Sequence, residues 1–173
     1  MKRKWYAVYT KPNCGKKVAA LLSRKNIENY CPLNRIVNFQ DVRKKMVYEP
    51  LLSNIVLVFI TEAEMDVIKK TSSVLNFVYW LGKPVVIKSD EIVYIRNFTS
   101  EYSNIKLEKT AVNPDETGQV TSEPHLDITN KHVVKNMDIR LSLPSLGYVM
   151  IAQVEKANIN VFNYGYERNK LVS

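Results

Sequence analysis

Chemistry requires a positioned nucleophile, base or metal ligand set, and this sequence holds few residues able to supply one. His125 and His132 are its two histidines. Their spacing fits neither a zinc-binding helix nor a dyad with an identifiable partner, so they read as surface residues in or near a turn. Cys14 and Cys31 are too far apart for a zinc finger or a redox pair, and nothing marks a secreted disulfide scaffold; they read as reduced thiols in a cytosol. The acids Asp66, Asp90 and Glu91 are scattered, and the last two are better explained as charges at a helix N-terminus than as an acid–base pair. Five glycines, none grouped, leave no phosphate-cradling loop. The chain therefore reads as a non-enzyme without cofactor or metal.

Binding remains, and charge says where. Lysine and arginine number 25 against 17 acids, and residues 1–50 hold 12 of the basic side chains with only 3 acids. The positive field sits in the first fifty residues, as expected of a part that meets a polyanion. Lys11, Lys16, Lys17, Arg24 and Lys25 are the candidate phosphate contacts, with Arg43, Lys44 and Lys45 on a ribbon tip. Tyr9, Tyr30, Tyr48 and Tyr79 are able to stack on bases if exposed, although aromatics in strands more often pack against neighbours.

These residues need a frame, and periodicity supplies one. "KWYAVYT" reads as a strand ending at Lys11-Pro12, and "CGKKVAALLSRKN" as an amphipathic helix that turns Val18, Leu21 and Leu22 inward and its cations outward. "ENYCPLNRIVNF" and "KKMVYEPL" form ribbon strands around a polar loop at 38–45, and "NIVLVFI" is apolar enough to be a buried central strand. Thr61 and Glu64 form a capping box opening a helix over about 62–71. "VLNFVYW" is a further strand, and "KPVVIKSDEIVYIRNFTSEY" a short extended piece leading to a helix with Ser89 as N-cap. The result is an α+β layer, an antiparallel sheet flanked by helices, over 1–106.

The polar, turn-rich "EKTAVNPDETGQ" places a linker at 107–119. Beyond it, 120–173 alternates in "MDIRLSL" and "GYVMIAQVE", with turns at Pro144-Ser145 and Lys156-Ala157-Asn158, the pattern of a few short strands closing as a small β-barrel. "MKRK" opens no signal peptide, because Lys11 follows before an adequate apolar segment, and the longest apolar run, "IVLVFI", is far short of the roughly 20 residues of a membrane helix. A soluble, cytoplasmic protein is expected.

"KWYAVYTKPNCGKKVAALLSRKNIENYCPLNRIV", then "YEPLLSNIVLVFI" and "VLNFVYWLGKPVVIKSDEI", in that order, resemble the N-terminal domain of the NusG family of transcription elongation factors, and "SLGYVMIAQVE" is similar to the closing strands of its KOW-type barrel. The resemblance covers roughly residues 4–102 with that tail. It implies a domain riding on RNA polymerase, with an apolar depression that takes the tip of the clamp helices of the largest subunit. Carried onto this sequence, that surface is Tyr9, Leu51, Leu52, Ser53, Asn54, Ile55 and Leu57, with Leu51 and Leu52 left on a lip for the partner to cover. The basic helix would face upstream DNA and the non-template strand, and bridging the cleft would suppress pausing or termination. For the second domain the family's partners are the termination factor Rho or a small-subunit ribosomal protein, and in some members that domain covers the polymerase site until recruitment.

Two places depart from the family pattern. Leu52-Ser53-Asn54-Ile55 stands where members commonly have Phe-Pro-Gly-Tyr or Phe-Pro-Asn-Tyr, and "VTSEPHLDITNK" lacks the Gly-Pro and spaced glycines of the KOW signature. Divergence at both suggests a specialised, RfaH-like paralogue acting on selected operons. Two other readings compete: an RNA-binding sheet module of the RRM class, for which "NIVLVFI" supplies only Phe59 as a stacking aromatic, and a protein-interaction adaptor whose charge is solubilising.

Overall fold

Strand β1 (Lys4–Thr10) is buried on both faces and sets the plan of the protein, described here from a computed structural model over residues 2–37, 45–129 and 132–155. Helix α1 (Gly15–Arg24) follows, then β2 (Asn29–Tyr30), the ribbon strands β3 (Leu33–Val37) and β4 (Met46–Pro50), and β5 (Ile55–Ile60). β5 returns antiparallel along β1, from Lys4↔Ile60 to Tyr9↔Ile55. A 3-10 turn (Glu62–Glu64) and α2 (Met65–Lys69) lead to β6 (Val74–Phe77), a tight hairpin of β7 (Tyr79–Trp80) and β8 (Lys83–Pro84), and β9 (Val86–Ile87). The first sheet runs β2-β5-β1-β6, with β9 also on β1, and every pairing is antiparallel. Helix α3 (Ser89–Glu101) then hands the chain to β10 (Lys106–Lys109), β11 (Val120–Thr129), β12 (His132–Leu143) and β13 (Tyr148–Glu155), a second antiparallel sheet ordered β10-β13-β12-β11.

The period-two geometry of strands divides the apolar residues of the first sheet between two cores. Tyr6, Val8, Val56, Val58 and Ile60 face α1 and α2, meeting Val18, Leu22 and Ile68. Trp5, Ala7, Ile55 and Leu57 face the other way, into a cluster with Ile92, Ile95 and Phe98 of α3 and with Ile139, Leu141, Leu143 and Met150 of the second sheet. Helical spacing brings Gly15, Val18 and Leu22 inward on α1, while Lys16, Lys17 and Arg24 stay exposed.

The Thr61–Glu64 box forms as expected. The Glu64 carboxylate accepts the Thr61 backbone N–H at 2.8 Å and its hydroxyl at 2.9 Å, bonds that hold the carboxyl below its ordinary pKa. At α3 the helix forms with Asp90 and Glu91 in its first turn, but the expected cap does not. The N-cap is Lys88, in extended conformation, no side chain caps the helix, and Glu91 turns inward instead of standing at the solvent-facing end.

Two of the C-terminal strands are longer than the short strands expected. Among the described residues the C-terminal part is a sheet whose strands β11 and β12 are 10 and 12 residues long. Its edge strand β10 comes from the stretch read as the start of the linker. Lys106, Glu108 and Lys109 are exposed and only Leu107 is partly buried, so the polar composition belongs to a charged edge strand. The tip of the ribbon, with Arg43 and Lys44, and the turn at 156–158 lie outside the described residues, as do the side chains of His125 and His132.

Leu22 is fully buried between α1 and the first sheet. Leu22→Ala is expected to lower unfolding free energy by about 2–5 kcal/mol in urea titrations, whereas Ala20→Ser on the exposed side of the same helix should change it by less than about 1 kcal/mol.

Candidate functional site

The cations expected to meet nucleic acid share one side of the first unit. Lys11 follows the end of β1, where its backbone N–H binds the Ser73 carbonyl at 2.9 Å, and Lys16, Lys17, Arg24 and Lys25 line the outer side and end of α1; all five are exposed. Two of them also brace the fold. Lys16 Nζ donates to the Tyr48 carbonyl at 2.6 Å, tying α1 to the ribbon, and Lys25 Nζ donates to Thr71 Oγ1 at 2.9 Å. The second bond ties the end of α1 to the turn after α2.

Tyr48 is exposed on the ribbon, and Tyr79 on the small hairpin. Tyr30, in contrast, is engaged inside the protein: its hydroxyl lies 3.3 Å from Thr99 Oγ1, and the Arg96 guanidinium stands 4.9 Å from its ring centroid.

The apolar candidates occupy the turn into β5 and the strand behind it. Leu51 N–H binds the Pro32 carbonyl at 2.8 Å, and the Asn54 carbonyl accepts Thr10 N–H at 2.8 Å, so the turn is fixed at both ends. Ser53 and Asn54 are exposed, and Tyr9 is 38% exposed. Leu51 and Leu52 were expected on an open lip. They are buried instead, at 8% and 3% exposure, and with Ile55 and Leu57 they belong to the cluster that includes α3 and the second sheet. Apolar side chains of α3 and of the second sheet, Leu141, Leu143 and Met150 among the latter, find cover in the same cluster, so the leucines have a core to join within the chain.

Directional contacts fix how the second sheet sits. Glu91 of α3, 1% exposed, accepts the Ser145 hydroxyl at 2.8 Å and the Ser145 N–H at 3.3 Å. Lys88 Nζ donates to the carbonyls of Glu116 at 2.6 Å and Asp115 at 3.3 Å, holding the strap between β10 and β11. Asn34 exchanges two hydrogen bonds with the backbone of Ile105, at 2.8 and 3.0 Å, and Asn104 does the same with Val37, at 2.8 and 3.1 Å. Sequence reading missed Glu91 and Ser145. The available signal was the spacing of Glu91 with Ile92, Ile95 and Phe98 on one helical face.

Perturbed ionisations here follow burial. Burial raises the pKa of Tyr30, Cys31 and Glu91, and that of Tyr102 to about 12 with help from the adjoining Glu101. These groups form no nucleophile–base pair. Among the described residues, no cluster of three or more His, Cys, Asp or Glu could hold a metal ion, and no helix is long and apolar enough to cross a membrane.

A family model, NusG, transcription termination factor nusG, matches residues 3–96, more than half of the chain. Among solved structures, one describing domain interaction in Thermotoga maritima NusG covers 90% of this chain and 94% of that one, at 16% identity and a TM-score of 0.51, a likeness of fold. No curated protein matches the chain.

Gly118, on the strap, leaves no room for a side chain: a Cβ there would stand 2.8 Å from the Ser142 carbonyl and 3.5 Å from Glu91 Cγ. Gly118→Ala is expected to loosen the seat by about 1–3 kcal/mol, the usual range for overpacking. Amide hydrogen exchange over 92–98 and 139–146 should accelerate roughly 5- to 150-fold as a result.

Proposed function

The chain belongs to the NusG family of transcription elongation and termination factors, non-enzymatic proteins that engage RNA polymerase and nucleic acids, and from that premise we propose that it is a cytoplasmic antitermination factor which binds the polymerase clamp. The apolar surface for the clamp helices is Tyr9, Leu51, Leu52, Ser53, Asn54, Ile55 and Leu57. Lys11, Lys16, Lys17, Arg24 and Lys25 contact upstream or non-template DNA, and the bridge across the cleft suppresses pausing or termination. The chain divides into a polymerase-binding unit at 1–106, a connection at 107–119 whose first residues complete the edge strand β10 of the second sheet, and a KOW-type module at 120–173, whose partner is Rho or a small-subunit ribosomal protein.

One observation carries this reading. Of the side chains assigned to the clamp, Leu51, Leu52, Ile55 and Leu57 belong to a core that includes the second sheet, while Tyr9, Ser53, Asn54 and the cations of the basic helix stay outward. An apolar partner surface whose leucines lie in a core shared with α3 and the second sheet is partly masked, and that supports a specialised, RfaH-like factor acting on selected operons over a general one. Opening is then a population shift: the clamp binds the open state and draws the chain into it.

Gel filtration of the full chain with bacterial core RNA polymerase tests the clamp surface. Wild type is expected to bind weakly and Gly118→Ala more tightly, because the variant is more often open. Adding Tyr9→Ala to Gly118→Ala should remove the gain, with circular dichroism confirming that the fold is kept. Failure of both wild type and Gly118→Ala to bind would overturn the mechanism.

The basic face has its own expected signature. For duplex DNA, the slope of log affinity against log salt should become shallower by about one in each of Lys17→Gln, Arg24→Gln and Lys25→Gln, since each removes one cation from a phosphate. Unchanged slopes in all three would leave the charge as merely solubilising.

A further inference from the structure

Among the described residues Glu91 is the one acid whose side chain is fully buried, and the proposed function does not use it. It stands in the first turn of α3 and faces Ser145, in the turn joining β12 to β13. Its Oε1 accepts both the hydroxyl and the backbone N–H of Ser145, and its Oε2 is buried with no hydrogen-bond partner. An ionised carboxylate with one oxygen unpaired in an apolar core is costly to bury, whereas the neutral acid carries its proton on Oε2 and still offers Oε1 to Ser145.

The surroundings give little help to the charge. Lys88, one turn back on the same helix, is the cation that acts on Glu91, and its ammonium is also engaged by the Asp115 and Glu116 carbonyls. Tyr94, also on α3, lies beside Gly118 of the strap. The strap adds Asp115 and Glu116, both exposed, the latter accepting from Asn113 Nδ2 at 2.8 Å. The segment 141–147 of the second sheet carries no ionisable side chain.

We propose that Glu91 is a proton-coupled latch between α3 and the second sheet, holding Ser145 in the docked arrangement when neutral and favouring separation when ionised. Burial raises its pKa above the ordinary value of 4.5, and the Ser145 bonds and Lys88 oppose that shift. For an acid whose pKa is raised on docking, docking takes up a proton. The contribution is full below the undocked pKa and is lost as pH rises through the docked one, changing the undocked-to-docked ratio by at most about ten-fold per pH unit. The latch would regulate the masked state proposed above, and in that respect it rests on that reading. Its test uses the isolated chain without polymerase, so either idea can fail alone.

The full chain, labelled with 13C at glutamate carboxyl carbons and leucine methyls, would be titrated by NMR from pH 4 to 8.5, with Glu91 assigned from Glu91→Gln. The carboxyl of Glu91 is expected to inflect above the ordinary glutamate value, and Ser145→Ala should move it further up by removing a bond that favours the charged form. Leu141 and Leu143 methyls report docking. Their wild-type signals should shift towards the undocked state as pH rises, and those of Glu91→Gln should stay docked across the range. Inflection of Glu91 at or below the ordinary glutamate value, or the same pH response in wild type and Glu91→Gln, would overturn the latch.

Discussion

The antiparallel pairing of β1 with β5 is the constraint on which the rest of the molecule depends. Both strands are apolar on both faces, so the pair needs cover on each side. One cover is local: α1 and α2 fold back within the first seventy residues and supply Val18, Leu22 and Ile68. The other begins with α3 and extends, in the same cluster, to side chains more than forty residues further along. Two small sheets, each with an apolar face, are thereby joined through one helix, and neither face remains open to water.

Apolar burial and polar geometry divide the work of that join. Burying a leucine contributes about 1.5–3 kcal/mol but is indifferent to orientation, whereas a net hydrogen bond contributes about 0.5–1.5 kcal/mol and is specific. The leucines of the shared cluster therefore decide that the second sheet docks. The position is decided by Asn34 on Ile105, Lys88 on the strap carbonyls and Glu91 on Ser145. Gly147 belongs with these: it adopts a positive φ of 68°, and a Cβ there would lie 2.8 Å from Val112 Cγ2, so the turn closes against the strap only with glycine.

Elements governed by local rules were legible in the sequence. β1, α1, β5 and the Thr61–Glu64 box follow from β-branched content, helical spacing and one capping motif, each read within a dozen residues. The family was legible too, because several unremarkable pieces occur in a fixed order. What escaped depends on partners distant in sequence. Leu51 and Leu52 look the same on an open lip and in a core until the second sheet is placed. Glu91 looks like a helix N-terminal charge, since nothing near it announces Ser145. Lys106–Lys109 looks like linker because an edge strand and a linker share a charged composition.

The two candidate surfaces stand in different relations to closure, and that orders the events the proposed function requires. The cations of α1 are exposed while the shared cluster is intact, so electrostatic approach to a polyanion asks nothing of the second sheet. Engagement of Leu51 and Leu52 requires that cluster to part. Moving a closed state from 99% to 1% populated takes a differential affinity of about 5.5 kcal/mol. A first contact through charge raises the local concentration of the partner without supplying that differential. The difference must come from apolar groups of the partner that replace those of the second sheet in the same cluster, so a weak apolar partner leaves the chain closed however strongly the basic face is held.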